Sequence, residues 1–140
     1  MSQTDILIPA MALAGWTLCV LILIPYQAFK ATLLGHIKLN DLKPGVSAIA
    51  LPQVSIPNRN FMNLLEVPVL FYFVSVVVFV TQSTDQTIVY LAWAYFSLRI
   101  LHSLVHLTYN KVIHRGLVFA ASNGVLLVIL AKLFIVLANK

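Results

Sequence analysis

Charged residues are scarce in this sequence. Asp, Glu, Lys and Arg make up 9% of its 140 residues, whereas hydrophobic residues make up 61%. A soluble domain of this size would lack the polar side chains that its surface needs. The low charge therefore excludes an ordinary soluble domain and predicts a protein whose solvent is the lipid bilayer.

Other features are missing as well. The chain has one cysteine, Cys19, which excludes a disulfide within the chain. The sequence shows no internal repeat, no glycine-rich phosphate loop, and no Ser/His/Asp or Cys/His set for nucleophilic catalysis. Ser75 and Ser103 lie in apolar segments, where we expect each hydroxyl to donate to a carbonyl of the preceding helical turn. These absences leave the apolar segments and their few polar residues as the main source of information.

Four apolar segments each reach the roughly 20 residues that cross about 30 Å of hydrocarbon. Because backbone polar groups in lipid must be satisfied within each segment, we predict that these segments are helices. No Lys or Arg precedes the first one, and it is too long for the apolar core of a signal peptide. We predict an all-α, integral membrane four-helix bundle that forms a single domain over residues 1–140, with helices at about 6–29, 61–81, 88–109 and 117–138.

The connection 30–60 is predicted to be a loop. A continuous helix is disfavoured there by four residues, Pro44, Gly45, Pro52 and Pro57. Its middle, residues 46–54, is fairly apolar. We therefore expect this part to lie on the membrane interface or over the end of the bundle.

Basic residues predict which way the bundle faces. The connections after the first and third helices carry most of them: Lys30, Lys38, Lys43, Arg59, Lys111 and Arg115. The opposite side has Lys140, with Lys132 near enough to reach it. By the positive-inside rule, loop 30–60 is cytoplasmic and both termini face away from the cytosol. The formal net charge of +5 is thus expected to reflect topology and contact with anionic lipids, not nucleic-acid binding. The short loops favour the bacterial inner membrane, although an internal eukaryotic membrane would give the same charge pattern.

Two polar stripes cross the predicted membrane helices. The stripe on the third helix falls within an arc of roughly 60° and consists of Tyr95, Arg99, His102, His106 and Asn110. On the second helix Arg59, Asn63 and Glu66 share one face, because they lie four and three residues apart. Ionisable groups at such depth are costly without a partner or a function. Both stripes lie towards the cytoplasmic end, so together they predict a cavity with acceptors on one wall and donors on the other.

Structural alternatives to a binding site remain open. Glu66 and Arg99 could form a buried ion pair that only orients helices, and each histidine could have a purely structural hydrogen bond. His102 and His106 have the spacing of a metal clamp with Glu66 as a third ligand, but Arg99 disfavours a cation there. We therefore predict no metal site. The excess of donors at one end of the bundle instead favours an anionic ligand.

Two motifs resemble one known family. Residues 59–68, Arg-Asn-Phe-Met-Asn-Leu-Leu-Glu-Val-Pro, are similar to the second-helix signature of the membrane-associated proteins in eicosanoid and glutathione metabolism, the MAPEG family. Arg99, His102 and Ser103 on the third helix, with Arg115 just past its end, resemble the branch of microsomal glutathione transferases and prostaglandin E synthases. Four spans in a chain of this length also match the family.

The resemblance implies a homotrimer that binds glutathione between neighbouring subunits at the cytoplasmic end of the bundle. In that arrangement Arg59 and Arg99 would hold the glutathione carboxylates. Glu66 would hold its ammonium group, and Asn63 would contact its amides. His102 and His106 belong to the same predicted pocket.

Arg115 matches the family arginine that stabilises the glutathione thiolate. A cation beside the sulfur favours the ionised form, and the thiolate is the nucleophile. The resemblance thus implies a glutathione-dependent transferase or peroxidase. Its second substrate would be a hydrophobic electrophile or a peroxide that enters from the membrane.

The sequence also departs from the family pattern. His106 stands where some enzymes of the family have a pocket tyrosine, Gly116 follows Arg115 where the prostaglandin synthase has serine, and Phe119 replaces a tyrosine one turn later. Three hydroxyl groups are therefore missing from the half of the pocket that activates the thiol. A second function stays open, a non-catalytic trimeric membrane protein that binds a lipid-like or anionic ligand. A transporter or channel component is a third, because intramembrane charge also lines substrate pathways.

Overall fold

A computed structural model describes residues 2–43 and 51–139, and this part of the chain contains helices and turns but no strand. Its five α-helices are α1 Leu7–Leu33, α2 Pro52–Leu65, α3 Pro68–Val80, α4 Gln86–Leu107 and α5 Val112–Ala138. Short 3-10 helices lie at Gln3–Ile6 and Leu39–Leu42.

Four helical stretches of the described residues are long and apolar enough to cross a membrane: Gln3–Leu33, Pro52–Val80, Gln86–Leu107 and Val112–Ala138. The helices α2 and α3 together make the second stretch. These four stretches make the chain an all-α, multi-pass integral membrane protein, as its composition predicts.

The second span begins earlier than the sequence predicts. The helix α2 starts at Pro52 instead of residue 61, so residues 52–60 of the expected loop are helical. Pro52 occupies the first helical position, where a missing N–H costs nothing because the first N–H groups of a helix have no partner within it. Pro57 is buried inside α2, where its nitrogen leaves the Gln53 carbonyl without the usual donor.

The first span also extends further than expected, to Leu33. The connection between the first two spans is therefore shorter at both ends than the predicted loop 30–60. The proline and glycine at positions 44 and 45, and most of the apolar stretch 46–54, lie outside the described residues.

The second span is interrupted near its middle. The helix α2 ends at Leu65, and Glu66 has a ψ of −98°, outside the helical range. Two residues later Pro68 begins α3 and has no N–H to donate to the Leu64 carbonyl. The last carbonyl groups of α2 are therefore free to accept hydrogen bonds from other helices.

The helix α4 lies at the centre of the packing. It contacts α5 most extensively and also packs against α1 and α2. The apolar core that joins these helices includes Leu13, Leu64, Phe71, Ile88 and Leu126. Large apolar side chains remain exposed along the outer faces of α1 and α5, where a membrane protein meets lipid or another subunit.

The N-terminus packs on the turn between α3 and α4. The Gln3 side-chain amide donates to the carbonyls of Val78 at 3.1 Å and Phe79 at 3.0 Å, and the Thr84 hydroxyl donates to the Gln3 carbonyl at 3.1 Å. These contacts fix the N-terminus beside the α3–α4 turn, at one end of the bundle.

An ion pair closes the same end. Asp85 caps α4 by accepting from the Ile88 N–H at 2.8 Å, and its other oxygen lies 2.7 Å from Lys132 Nζ in α5. Partial burial acts to raise the pKa of Asp85, but the hydrogen bond and charge of Lys132, with the N–H groups of Ile88 and Thr87, bring that pKa below its ordinary value. Such a carboxylate stabilises the fold above the unfolded pKa of about 4, and its contribution is lost as pH falls through the folded pKa.

Replacing Asp85 should separate the ion pair from the helix cap. Asp85→Asn should lower the free energy of unfolding by less than about 1 kcal/mol, because Asn still caps α4 and the lost pair is partly exposed. Asp85→Ala should cost about 1 kcal/mol more, since the cap is lost too. Thermal melts in detergent measure both effects.

The deficit of Asp85→Asn should narrow as the pH falls from 7 to below the unfolded pKa of about 4 and through the folded pKa, because the parent carboxylate then becomes protonated. Lys132→Met is the matched partner variant, and the double variant should be no less stable than Asp85→Asn alone. A deficit that stays constant across this pH range would contradict the assigned ion pair.

Candidate functional site

The polar stripe of the third span lies on the buried face of α4. Tyr95, Arg99, His102 and His106 have exposed fractions of 0%, 0%, 2% and 2%, and Asn110 lies in the turn that follows. Ionisable groups are thus turned into the bundle and away from the lipid, as their cost in hydrocarbon requires. The predicted stripe and the buried face coincide.

Arg99 connects three helices. Its Nη2 donates to the carbonyl oxygen of Asn63 in α2 at 2.6 Å, a charge-assisted hydrogen bond. Its guanidinium carbon lies 5.4 Å from the centre of the Phe119 ring in α5, a cation–π contact. Nε and Nη1 are buried and have no hydrogen-bond partner among the described residues. Two donor nitrogens of a buried cation are therefore available to an acceptor from outside this part of the chain.

The interruption of the second span explains why Asn63 offers its carbonyl. In an unbroken helix this oxygen would accept from the N–H of Val67, but α2 ends before that residue. The side-chain amide of Asn63 instead donates back to the Arg59 carbonyl at 2.9 Å. Sequence reasoning assigned the amide to ligand contacts, whereas it is the backbone of Asn63 that contacts Arg99.

Arg115 lies at the start of α5 and is held by two side chains. Its Nη1 donates to Asn110 Oδ1 at 3.0 Å and lies 3.2 Å from His106 Nε2. Asn110 has a φ of 48°, a left-handed conformation that asparagine tolerates better than most residues. This turn between α4 and α5 brings the Arg115 guanidinium back towards the buried face of α4.

Arg115 also sets the proton positions of both histidines. A guanidinium can only donate, so His106 Nε2 is the acceptor and Nδ1 carries the proton. The Arg115 carbonyl can only accept, so His102 Nδ1, at 3.1 Å, is the donor and Nε2 carries the free lone pair. His102 Nε2 and His106 Nδ1 are buried and unpartnered within the described part of the chain. The site thus offers one imidazole acceptor beside several donors.

A cavity of about 220 Å³ joins these elements. It is lined by Asn63, His102, Val112, Arg115, Gly116 and Phe119. The Phe119 ring contacts both the Arg99 guanidinium and the His102 imidazole, whose ring centre is 5.7 Å away. Cationic and apolar groups therefore surround one space at the end of the bundle opposite the Asp85–Lys132 pair.

Arg59 and Glu66 do not line this cavity. Both side chains are exposed in the single chain, and Glu66 lies at the interruption between α2 and α3. Glu66, the carboxylate of the predicted acceptor wall, is therefore not part of the single-chain cavity. Within the described residues Glu66 makes no ion pair with Arg99, although the two remain within electrostatic range. The structural ion pair considered for these residues does not form in this part of the chain.

The histidines are not arranged as a metal clamp. The described residues contain no group of three His, Cys, Asp or Glu side chains that could bind a metal ion. His102 Nδ1 and His106 Nε2 are both engaged by Arg115, and Glu66 is exposed at another position.

The sequence did not predict the two hydrogen bonds that the Ser103 hydroxyl accepts. The Ser103 hydroxyl accepts from Trp16 Nε1 in α1 at 2.9 Å and from Asn60 Nδ2 in α2. Ser75, by contrast, donates to the Phe71 carbonyl one turn earlier, as expected of both serines. The available signal was the presence of Asn60 and Trp16 near apolar spans, but their partner depends on how helices distant in sequence pack together.

Comparison with known proteins identifies the family of the chain. No curated protein and no solved structure is significantly similar to the chain. Residues 6–135, nearly the whole chain, match the MAPEG family, so the predicted resemblance is confirmed at the level of the family. A four-span chain with a basic cavity at one end therefore belongs to the MAPEG family.

Proposed function

We propose that this protein is a glutathione-dependent membrane transferase or peroxidase that acts on hydrophobic electrophiles. The observation that carries the proposal is the pair of guanidinium groups beside one cavity. Arg99 is fully buried, Arg115 lines the cavity, and neither contacts a carboxylate among the described residues. A buried cation without a counter-charge is costly, so an anionic ligand would be bound strongly there.

Glutathione has the groups that this site can bind. It carries two carboxylates, an ammonium group and a thiol. The free Nε and Nη1 donors of Arg99 suit a carboxylate, and Nε2 of His102 can accept from a ligand N–H or S–H group. His106 offers its Nδ1 proton in the same region. The family membership supports this choice of ligand over other small anions.

A homotrimer would complete the site. Arg59 and Glu66 are exposed in the single chain and lie near Arg99 and His106, so a neighbouring subunit could enclose a ligand between them and the cavity. We propose that Arg59 then holds a second carboxylate and Glu66 the ammonium group. The exposed apolar faces of α1 and α5 provide surface for subunit contacts and for lipid.

Arg115 would stabilise the thiolate. Its positive charge favours ionisation of a nearby thiol, whose proton leaves to water. The thiolate sulfur then forms a bond to an electrophilic carbon, which expels its leaving group with the bonding electron pair. Phe119 and Val112 form the apolar side of the cavity, through which a hydrophobic second substrate from the membrane would approach.

The proposed orientation places this cavity at the cytoplasmic side. The described cations of the connections lie at this end, and the Asp85–Lys132 pair closes the other. Water-soluble glutathione would enter from the cytosol, with both termini facing away from it. We propose the bacterial inner membrane as the location.

A second candidate is a non-catalytic trimer that binds a lipid-like or anionic ligand. Gly116 and Phe119 line the cavity and bring no hydroxyl group to it. Binding needs the cations alone, whereas thiol activation is usually supported by additional donors. Glutathione binding without turnover would favour this candidate.

Glutathione should stabilise the purified protein against heat. At a hundredfold excess over Kd, the melting temperature in detergent should rise by about 5 °C or more. Arg99→Met should remove this rise. The ligand-free variant should melt close to the parent, because relief of the cost of a buried charge offsets the loss of the hydrogen bond to the Asn63 carbonyl. Asp85→Asn, at the other end of the bundle, should keep the full rise. If glutathione shifted the parent and Arg99→Met equally, Arg99 would not be part of the site.

Arg115→Ala should slow conjugation of glutathione to a generic aryl halide by about 10-fold or more at pH 6.5. The deficit should shrink as pH rises past about 8.5, because the thiol then ionises without help. Lys111→Ala is the matched control: this exposed cation lies one turn earlier and outside the cavity, so its removal should leave turnover unchanged. A deficit of Arg115→Ala that is independent of pH would contradict thiolate stabilisation.

A further inference from the structure

Ser103 joins three helices through one oxygen. Its hydroxyl accepts a hydrogen bond from the Trp16 indole in α1 and another from the Asn60 amide in α2, while Ser103 itself belongs to α4. An indole N–H can only donate, and a hydroxyl oxygen has two lone pairs, so both donors can be satisfied at the same atom. We call these three side chains the serine hub.

The serine hub is shielded from water. Asn60 and Ser103 are both fully buried. In the interior of a membrane protein, donors and acceptors that lose their partner find few replacements. Each hydrogen bond of the hub is therefore hard to replace, and removing one partner should change how the three helices pack together.

The serine hub lies directly beside the candidate site. Ser103 follows His102 and lies one turn after Arg99 on α4, and Asn60 lies one turn before Asn63 on α2. The Asn60–Ser103 contact and the Asn63–Arg99 contact are thus consecutive links between the same two helices. Ser103 does not line the cavity, so it cannot act by touching a ligand.

We propose that Ser103, with Trp16 and Asn60, is a positioning hub that holds α2 and α1 against α4 and so places Asn63 and Arg99 at the cavity. This inference deepens the proposed function and rests on it for the ligand. The hub itself acts through the Asn63–Arg99 contact. Loss of the Ser103 hydroxyl removes the acceptor that Trp16 and Asn60 share. The helix α2, which contributes Asn63 to the cavity, is then held less firmly against α4.

The first arm of the test needs no glutathione. In a Cys19→Ser, Gly116→Cys background, the new thiol at the cavity is the only one, and a Cβ at position 116 has no neighbouring group within 4 Å among the described residues. Its alkylation rate with iodoacetamide reports cavity geometry. Ser103→Ala should change this rate by at least about twofold, because α2 moves more freely, whereas Ser103→Thr keeps the hydroxyl and should stay at the parent rate.

The second arm measures glutathione affinity by calorimetry, with Gly116 and Cys19 intact. Ser103→Ala should weaken binding by roughly fivefold, the equivalent of one ordinary hydrogen bond, and Ser103→Thr should restore it. Trp16→Phe keeps one aromatic ring and removes the N–H donor together with the second ring of the indole, so it should show the same changes in smaller degree. It also provides a readout if Ser103→Ala does not fold.

Ser75→Ala is the matched control for a buried serine. Ser75 is equally buried, but its hydroxyl bonds to its own helix, so its loss should change neither the alkylation rate nor the affinity. Parent-like alkylation and binding in both Ser103→Ala and Trp16→Phe would overturn the positioning hub. If the parent itself does not bind glutathione, the proposed function fails, and the alkylation arm alone still decides for or against the hub.

Discussion

The structure depends on how a fully buried arginine is accommodated in a chain made for lipid. Arg99 has an exposed fraction of 0%, yet its contacts are a backbone carbonyl and an aromatic face, with no carboxylate in contact among the described residues. The carbonyl is available because Pro68 and Glu66 interrupt the second span. The charge is thus held in position without being neutralised, which is what a site for anions requires.

The position of the second cation, Arg115, depends on the turn after α4. Asn110 and His106 together hold the Arg115 guanidinium, and the Arg115 carbonyl orients His102. His106 is thus a direct partner of the arginine. The chain therefore holds a cation at the cavity, to which Gly116 and Phe119 bring no hydroxyl group.

The sequence predicted the fold class and the buried face of α4, because span length and helical periodicity depend only on local spacing. It placed Arg99 and His102 correctly on that face. It erred at Pro52, since proline is compatible with the first helical turn as well as with a loop. It missed the interruption at Glu66, for which Pro68 was the available signal. It could not foresee that Ser103 would meet Trp16, because that contact depends on how distant segments pack.

The most direct measurement is an experimental structure of the protein determined with glutathione. The account predicts density for the tripeptide in the cavity beside Arg115 and Phe119, with a carboxylate within hydrogen-bond distance of Arg99. Glutathione bound elsewhere, or a cavity filled by side chains of a neighbouring subunit, would contradict it.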